Sequence, residues 1–147
     1  MPKSHQKKNL AYNAVDLFDI VIDIEKYSDF IPWCSKSKII SKKRNKIIAD
    51  LVISYKFINE TFRSYVDYDK KKLSIYINYT EGPLKSLITS WKFNKITNKK
   101  TEVIFDIEIK FKFWVFNNLL KKFFSQIEKK MINAFEKRAK EILSKNS

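Results

Sequence analysis

The chain is poor in the residues that build most catalytic and cofactor sites. Among 147 residues there is a single glycine, Gly82. A phosphate-cradling loop needs several glycines where backbone closely approaches phosphate, so nucleotide and dinucleotide sites of that kind are excluded. One cysteine, Cys34, excludes an internal disulfide and a thiolate metal cluster, and it suits a reducing compartment. One histidine, His5, sits in a polar N-terminal stretch with no motif partner for base catalysis. A Cys–His nucleophile would have to recruit it, whereas a free cysteine ordinarily behaves as a small buried hydrophobe. Asp19, Asp23 and Glu25 match no metal-ligand spacing and read as acids on a helix surface. No apolar run reaches membrane-spanning length, and the opening MPKSHQKKNL has no apolar core of a secretory signal. These scarcities predict a cytoplasmic, non-enzymatic chain with no catalytic residues, no metal and no cofactor, meeting a membrane only from the side.

Aromatic side chains and positive charge are abundant instead. Three Trp, seven Tyr and twelve Phe must enter a core, surround a ligand or face a partner. The net charge of +14 favours anionic partners such as RNA or acidic lipid headgroups. Lysine filling every tolerant solvated position gives the same count. Lys36, Lys38, Lys42, Lys43, Arg44 and Lys46 cluster around an expected hairpin. No RNA-binding signature with stacking aromatics accompanies them, so ribosomal RNA and acidic lipid are served equally, and nothing points to DNA.

No repeat, low-complexity tract or linker divides the chain, which predicts one domain over 1–147. Asn13 followed by Asp16 predicts a helix cap, with a helix from Ala14 to about Ile24 burying Leu17, Phe18, Val21 and Ile24. The period then shortens to two. Apolar residues alternate in 47–57, 60–68, 73–79, 87–96 and 102–112, separated by turn sequences at 68–71 and 97–100. Such alternation predicts an antiparallel sheet with one wet and one apolar face. From about Trp114 to Leu143 a long helix places Phe116, Leu120, Phe123, Ile127, Met131 and Ala134 on one stripe. The order is α+β, a long C-terminal helix laid across a curved antiparallel sheet.

The stretch YSDFIPWC at 27–34 resembles the motif Y-P-x-F-L-P-W-C of the coenzyme Q-binding START-like family, which is shared with the ribosome-association toxin RatA family. FDIVIDIEKY (18–27), ADLVISYKFINETFRS (49–64) and EGPLKSLITSWKF (81–93) resemble further blocks of it in the same order. Ser28 stands where the family has proline, and Leu84 where it has phenylalanine. The resemblance implies a helix-grip fold whose sheet and helix enclose an apolar tunnel. It implies binding of ubiquinone or another isoprenoid lipid without turnover, in support of respiration at the inner membrane. For one branch it implies instead a toxin on the large ribosomal subunit that blocks subunit joining.

The expected ligand-facing residues are Phe30, Trp33, Tyr55, Phe62, Tyr79, Leu84, Trp91, Phe105, Phe116, Leu120 and Phe123. Candidate polar anchors are Tyr55, Glu60, Ser64, Tyr79 and Ser90. Gly82-Pro83 is a stiff turn, either a plain hairpin or a gate at the pocket mouth. Trp114, Leu119 and Phe124 beside Lys121 and Lys122 are candidates for an apolar patch on an anionic membrane.

Overall fold

The computed structural model describes residues 3–55, 58–80, 84–111 and 115–144, without the side chains of 55, 58, 80, 84, 85, 111, 115–125 and 127. Strand β1 (Lys3–Leu10) leads into helix α1 (Ala14–Ile22), a 3-10 turn at Ile24–Lys26 and the one-turn helix α2 (Tyr27–Phe30). Strands β2 (Cys34–Lys43), β3 (Lys46–Tyr55), β4 (Ile58–Asp69), β5 (Ser74–Thr80), β6 (Leu84–Thr97) and β7 (Lys100–Phe111) follow, and α3 (Val115–Leu143) closes the order. All neighbours are antiparallel, in the order β1-β7-β6-β5-β4-β3-β2. Register shifts in β2 and β6 mark irregularities of the kind that bend and coil a sheet.

The residues dictate this arrangement locally. Asn13 Oδ1 accepts from the backbone N–H groups of Val15 (2.9 Å) and Asp16 (3.4 Å), satisfying two donors that the first turn of α1 leaves open. Behind that cap Leu17, Phe18 and Val21 share one buried face. The tight β2–β3 and β4–β5 turns place Arg44 (φ 35°) and Leu73 (φ 51°) in the left-handed region. Leu73, expected at the head of a strand, is therefore a turn residue, and β5 begins at Ser74.

β1 and β2 form opposite edges of the sheet, so the chain between them must cross it, and α1 and α2 lie on that crossing. Phe18 meets Phe93 edge-on at 6.2 Å and Tyr68 at 6.3 Å. The core follows the inner face of the sheet through Ile47, Ala49, Leu51, Val66, Ile75, Ile77, Trp91, Phe93, Phe105, Ile107 and Ile109. On the outer face Arg63 donates through Nε to Asp50 Oδ1 (2.9 Å) and through Nη2 to Asp50 Oδ2 (3.1 Å). The Arg63 guanidinium holds the Asp50 carboxyl below its usual range.

Two further sequence expectations need correction. The polar N-terminal stretch is strand β1, paired with β7 from Lys3↔Glu108 to Leu10↔Thr101. Its inner positions include Ser4 and Gln6, so no apolar alternation advertised it. The buried stripe of α3 is also turned by about one residue. Glu128, Phe135 and Ala139 are buried, with Met131 and Ile132 half-buried, while Ala134 is only half-buried. Leu120, Phe116, Phe123 and Ile127 lie outside the described side chains.

Asn13→Ala removes a cap that serves two backbone donors. It should lower the free energy of unfolding in urea by about 1 kcal/mol without changing the far-ultraviolet spectrum of the folded protein.

Candidate functional site

The inner face of the sheet is organised in register rows. One row runs Gln6–Phe105–Trp91–Ile75 across β1, β7, β6 and β5. The next runs Ser4–Ile107–Thr89–Ile77–Val66. A third runs Ile109–Leu87–Tyr79–Ser64–Ala49. Alternation along each strand brings these residues to the same side, facing α3 rather than water.

Trp91 is the hub. Its ring lies 4.4 Å from that of Phe105 and is stacked on Phe93 at 6.0 Å. Phe135 of α3 meets Trp91 at 5.0 Å and Phe30 of α2 at 5.1 Å, both edge-on. Arg138 lies over the Phe30 ring, 5.3 Å from its centre, as a cation–π contact. Sheet, short helix and long helix thus meet through one aromatic cluster. Beside it a cavity of about 30 Å³, room for a water or two, is lined by Gln6, Leu10, Leu17, Trp91, Phe105 and Ile132 among others.

Polar groups punctuate this wall. The Ser64 hydroxyl donates to the Ala49 carbonyl at 2.9 Å, and the Tyr27 hydroxyl donates to the Val21 carbonyl. Burial raises the phenols of Tyr27 and Tyr79 well above their usual range, with Cys34 adding to both. The Tyr79 hydroxyl lies near Thr89, which offsets part of that rise. Even so, Thr89 Oγ1, fully buried, reaches no partner at hydrogen-bond geometry. On α3, Glu128 is only 3% exposed; Gln6 Nε2 donates to its Oε1, and its Oε2 has no partner among the described residues. Gln6 Nε2 also lies 3.4 Å from Ser4 Oγ.

Of the residues expected to face a ligand, Phe62, Trp91 and Phe105 are buried on the inner face, and Phe30, Trp33 and Tyr79 are half-buried. Phe30, Trp91 and Phe105 converge, but through Phe135, which the expected stripe of α3 passed over. Its spacing of four from Met131 and four from Ala139 was the available signal. The side chains of Tyr55, Leu84, Phe116, Leu120 and Phe123 lie outside the described residues, as do Gly82-Pro83 and Trp114. Leu119 and Phe124 do too.

Among the polar anchors, Ser64 and Tyr79 point inward. Glu60 is exposed, and Ser90 sits on the outer face beside His5 and Asp106. Ser90 is turned away from α3 by its strand parity, whereas Glu60 shares the parity of Phe62 and Ser64 but lies exposed near the start of β4. Thr89, Gln6 and Glu128 are the inner polar groups that sequence reasoning missed. His5 does have a partner: its Nδ1 pairs with Asp106 Oδ1 on the outer face. Cys34 is buried, and burial pushes its thiol up to about 11. Among the described residues no three His, Cys, Asp or Glu come together as a metal site, and no helix is long and apolar enough to cross a membrane.

A thiol with a raised value in the folded state stabilises the fold below the unfolded thiol value of about 9, and that contribution is lost as pH rises toward 11. Unfolding titrations should therefore show wild type losing stability relative to Cys34→Ala between pH 9 and 11. At pH 7.5 Cys34 should resist iodoacetamide in the folded protein and react readily in urea.

A family model described as polyketide cyclase / dehydrase and lipid transport matches residues 10–136. A "Ribosome association toxin RatA" of Rickettsia prowazekii is 37% identical over 139 residues, 92% of this chain and 94% of that one. The mitochondrial "Coenzyme Q-binding protein COQ10 homolog B" of Xenopus laevis is 28% identical over 138 residues, 91% of this chain and 56% of that protein. The crystal structure of the Zhui aromatase/cyclase from a Streptomyces species superposes with a TM-score of 0.85 over 94% of this chain and 93% of that one. At 14% identity that likeness is one of fold, the START-like helix-grip architecture. Proteins named as enzymes and proteins named as binders share it.

Proposed function

The chain belongs to the polyketide cyclase / dehydrase and lipid transport family, and from that premise we propose that it is a non-enzymatic carrier of an isoprenoid quinone, most simply ubiquinone. The observation that carries the reading is the inner wall of Trp91, Phe105 and Phe62, apolar but interrupted by the hydroxyls of Thr89 and Tyr79. An isoprenoid tail needs only apolar surface, at roughly 25 cal/mol per Å² buried, while a quinone ring needs a few polar contacts to fix it. The described inner face offers no histidine base and no thiolate nucleophile. Its thiol is held protonated at neutral pH, and the single histidine lies on the outer face. The name of the Xenopus relative supports the same ligand class. Such a carrier would work in the cytoplasm and visit the inner membrane from its side.

A second reading is association with the large ribosomal subunit, as a toxin that blocks subunit joining. It is favoured by the name of the Rickettsia relative and by the net charge of +14, which suits a phosphate-rich partner.

Protein purified from a quinone-containing host should carry about one quinone per chain in native mass spectrometry with lipid extraction. A short-tailed quinone should quench tryptophan fluorescence, and Trp91→Phe should remove most of that quench. Protein that is empty, and that co-sediments with large subunits at low salt and leaves them at high salt, would replace the carrier by the second reading.

A further inference from the structure

Glu128 is the oddest side chain in the described interior. It is 3% exposed on the helix face that also presents Ile132, Phe135 and Ala139 to the sheet. A buried carboxyl is costly unless its oxygens are satisfied, and replacing such groups by apolar ones is often neutral or stabilising. Only Oε1 is satisfied here, by the amide N–H of Gln6; Oε2 has no partner among the described residues. A tie between α3 and β1 needs one carboxyl oxygen, or simply a glutamine. The free second oxygen is therefore unexplained by the fold.

The surroundings make it selective. Gln6 and Ser4 are the inner polar residues of β1, and two strands further along the row of Ser4 stands Thr89, whose Oγ1 is, among the described residues, the other buried side-chain polar atom without a partner. Every other buried position described in β7 and β6 between Ser86 and Phe111 is apolar except Thr101, whose hydroxyl donates to the Tyr12 carbonyl at 2.7 Å. The two unpartnered atoms differ in kind. Glu128 Oε2, with Gln6 already donating to its neighbouring oxygen, is suited to accept a proton donor, whereas a threonine hydroxyl can donate or accept.

We propose that Glu128 is the head-group anchor of the ligand site and accepts a hydrogen bond from a hydroxyl on an otherwise apolar molecule. The inference rests on the carrier reading and narrows it. A quinone ring presents only acceptors, while the reduced hydroquinone presents two hydroxyl donors. The site therefore prefers the reduced form, and Gln6 is a positioning residue that orients the carboxyl.

The test compares a short-tailed ubiquinone with its ubiquinol, kept reduced under argon, binding to the full-length protein by fluorescence quenching and by isothermal titration. Wild type should bind the hydroquinone about tenfold more tightly, the worth of one hydrogen bond to a carboxylate-type acceptor. Glu128→Gln keeps an oxygen for Gln6 and puts an N–H donor in place of Oε2. It should fold with an unchanged melting profile and abolish or invert the preference, favouring the quinone. Gln6→Leu, which leaves the carboxyl in place but unoriented, should shrink the preference without inverting it. Equal affinity for both forms in wild type, or a preference untouched by Glu128→Gln, would refute the anchor while leaving the carrier intact. If neither form binds wild type, the carrier reading falls and this inference falls with it.

Discussion

The contact between Phe135 and Trp91 couples two halves of the molecule that have few other described ways to hold each other. The sheet holds itself together through its ladders, and α1 is held by Phe18 against Phe93 and Tyr68. α3 has no ladder and must be held by side chains. Phe135 lies edge-on to Trp91, Phe30 and Tyr27 at once, so sheet, α2 and α3 share one ring. Edge-to-face pairs of this kind add about 0.5–1.5 kcal/mol each beyond the area they bury. Three on a single residue make that point of α3 the fulcrum of its placement. Whatever lies between the sheet and the remainder of the helix is bounded at this end by the cluster.

That closure clarifies how a chain so short of chemistry still has a defined interior. An apolar wall alone would select nothing beyond grease. Among the polar atoms placed inward, Ser64 and Tyr27 spend their hydroxyls on backbone carbonyls, whereas Thr89 Oγ1 and Glu128 Oε2 have no partner among the described residues. The first pair serves the fold. The second pair is retained at an energetic cost, and such exceptions are where a function is sought.

Much of this was legible in the sequence because alternation and helical spacing are consequences of burial. Val103, Phe105, Ile107 and Ile109 declared β7, and Asn13 declared the start of α1. The resemblance in YSDFIPWC and its companion blocks pointed to the helix-grip architecture. What escaped was whatever breaks the apolar rule. β1 hid because Ser4 and Gln6 occupy its inner positions, and Glu128 hid because a carboxylate is ordinarily assigned to solvent. That one residue also turned the expected stripe of α3, since a helix face is counted from its apolar members. Ser90 shows the opposite error, plausible chemistry outweighing strand parity, whereas Glu60 has the inner parity of Phe62 and is exposed only because it lies near the start of β4.

The pairing of β1 with β7 has a further consequence, for synthesis. Gln6 lies opposite Phe105, so β1 can be seated only after about a hundred further residues have followed it. Until then β7 does not exist, and β1 has no partner. Contacts of such long sequence separation are formed slowly. The waiting strand survives that interval because it is nearly all polar, with lysines at 3, 7 and 8 and no aromatic residue. The same composition that concealed β1 from inspection keeps it from associating with another chain while its own partner is being made.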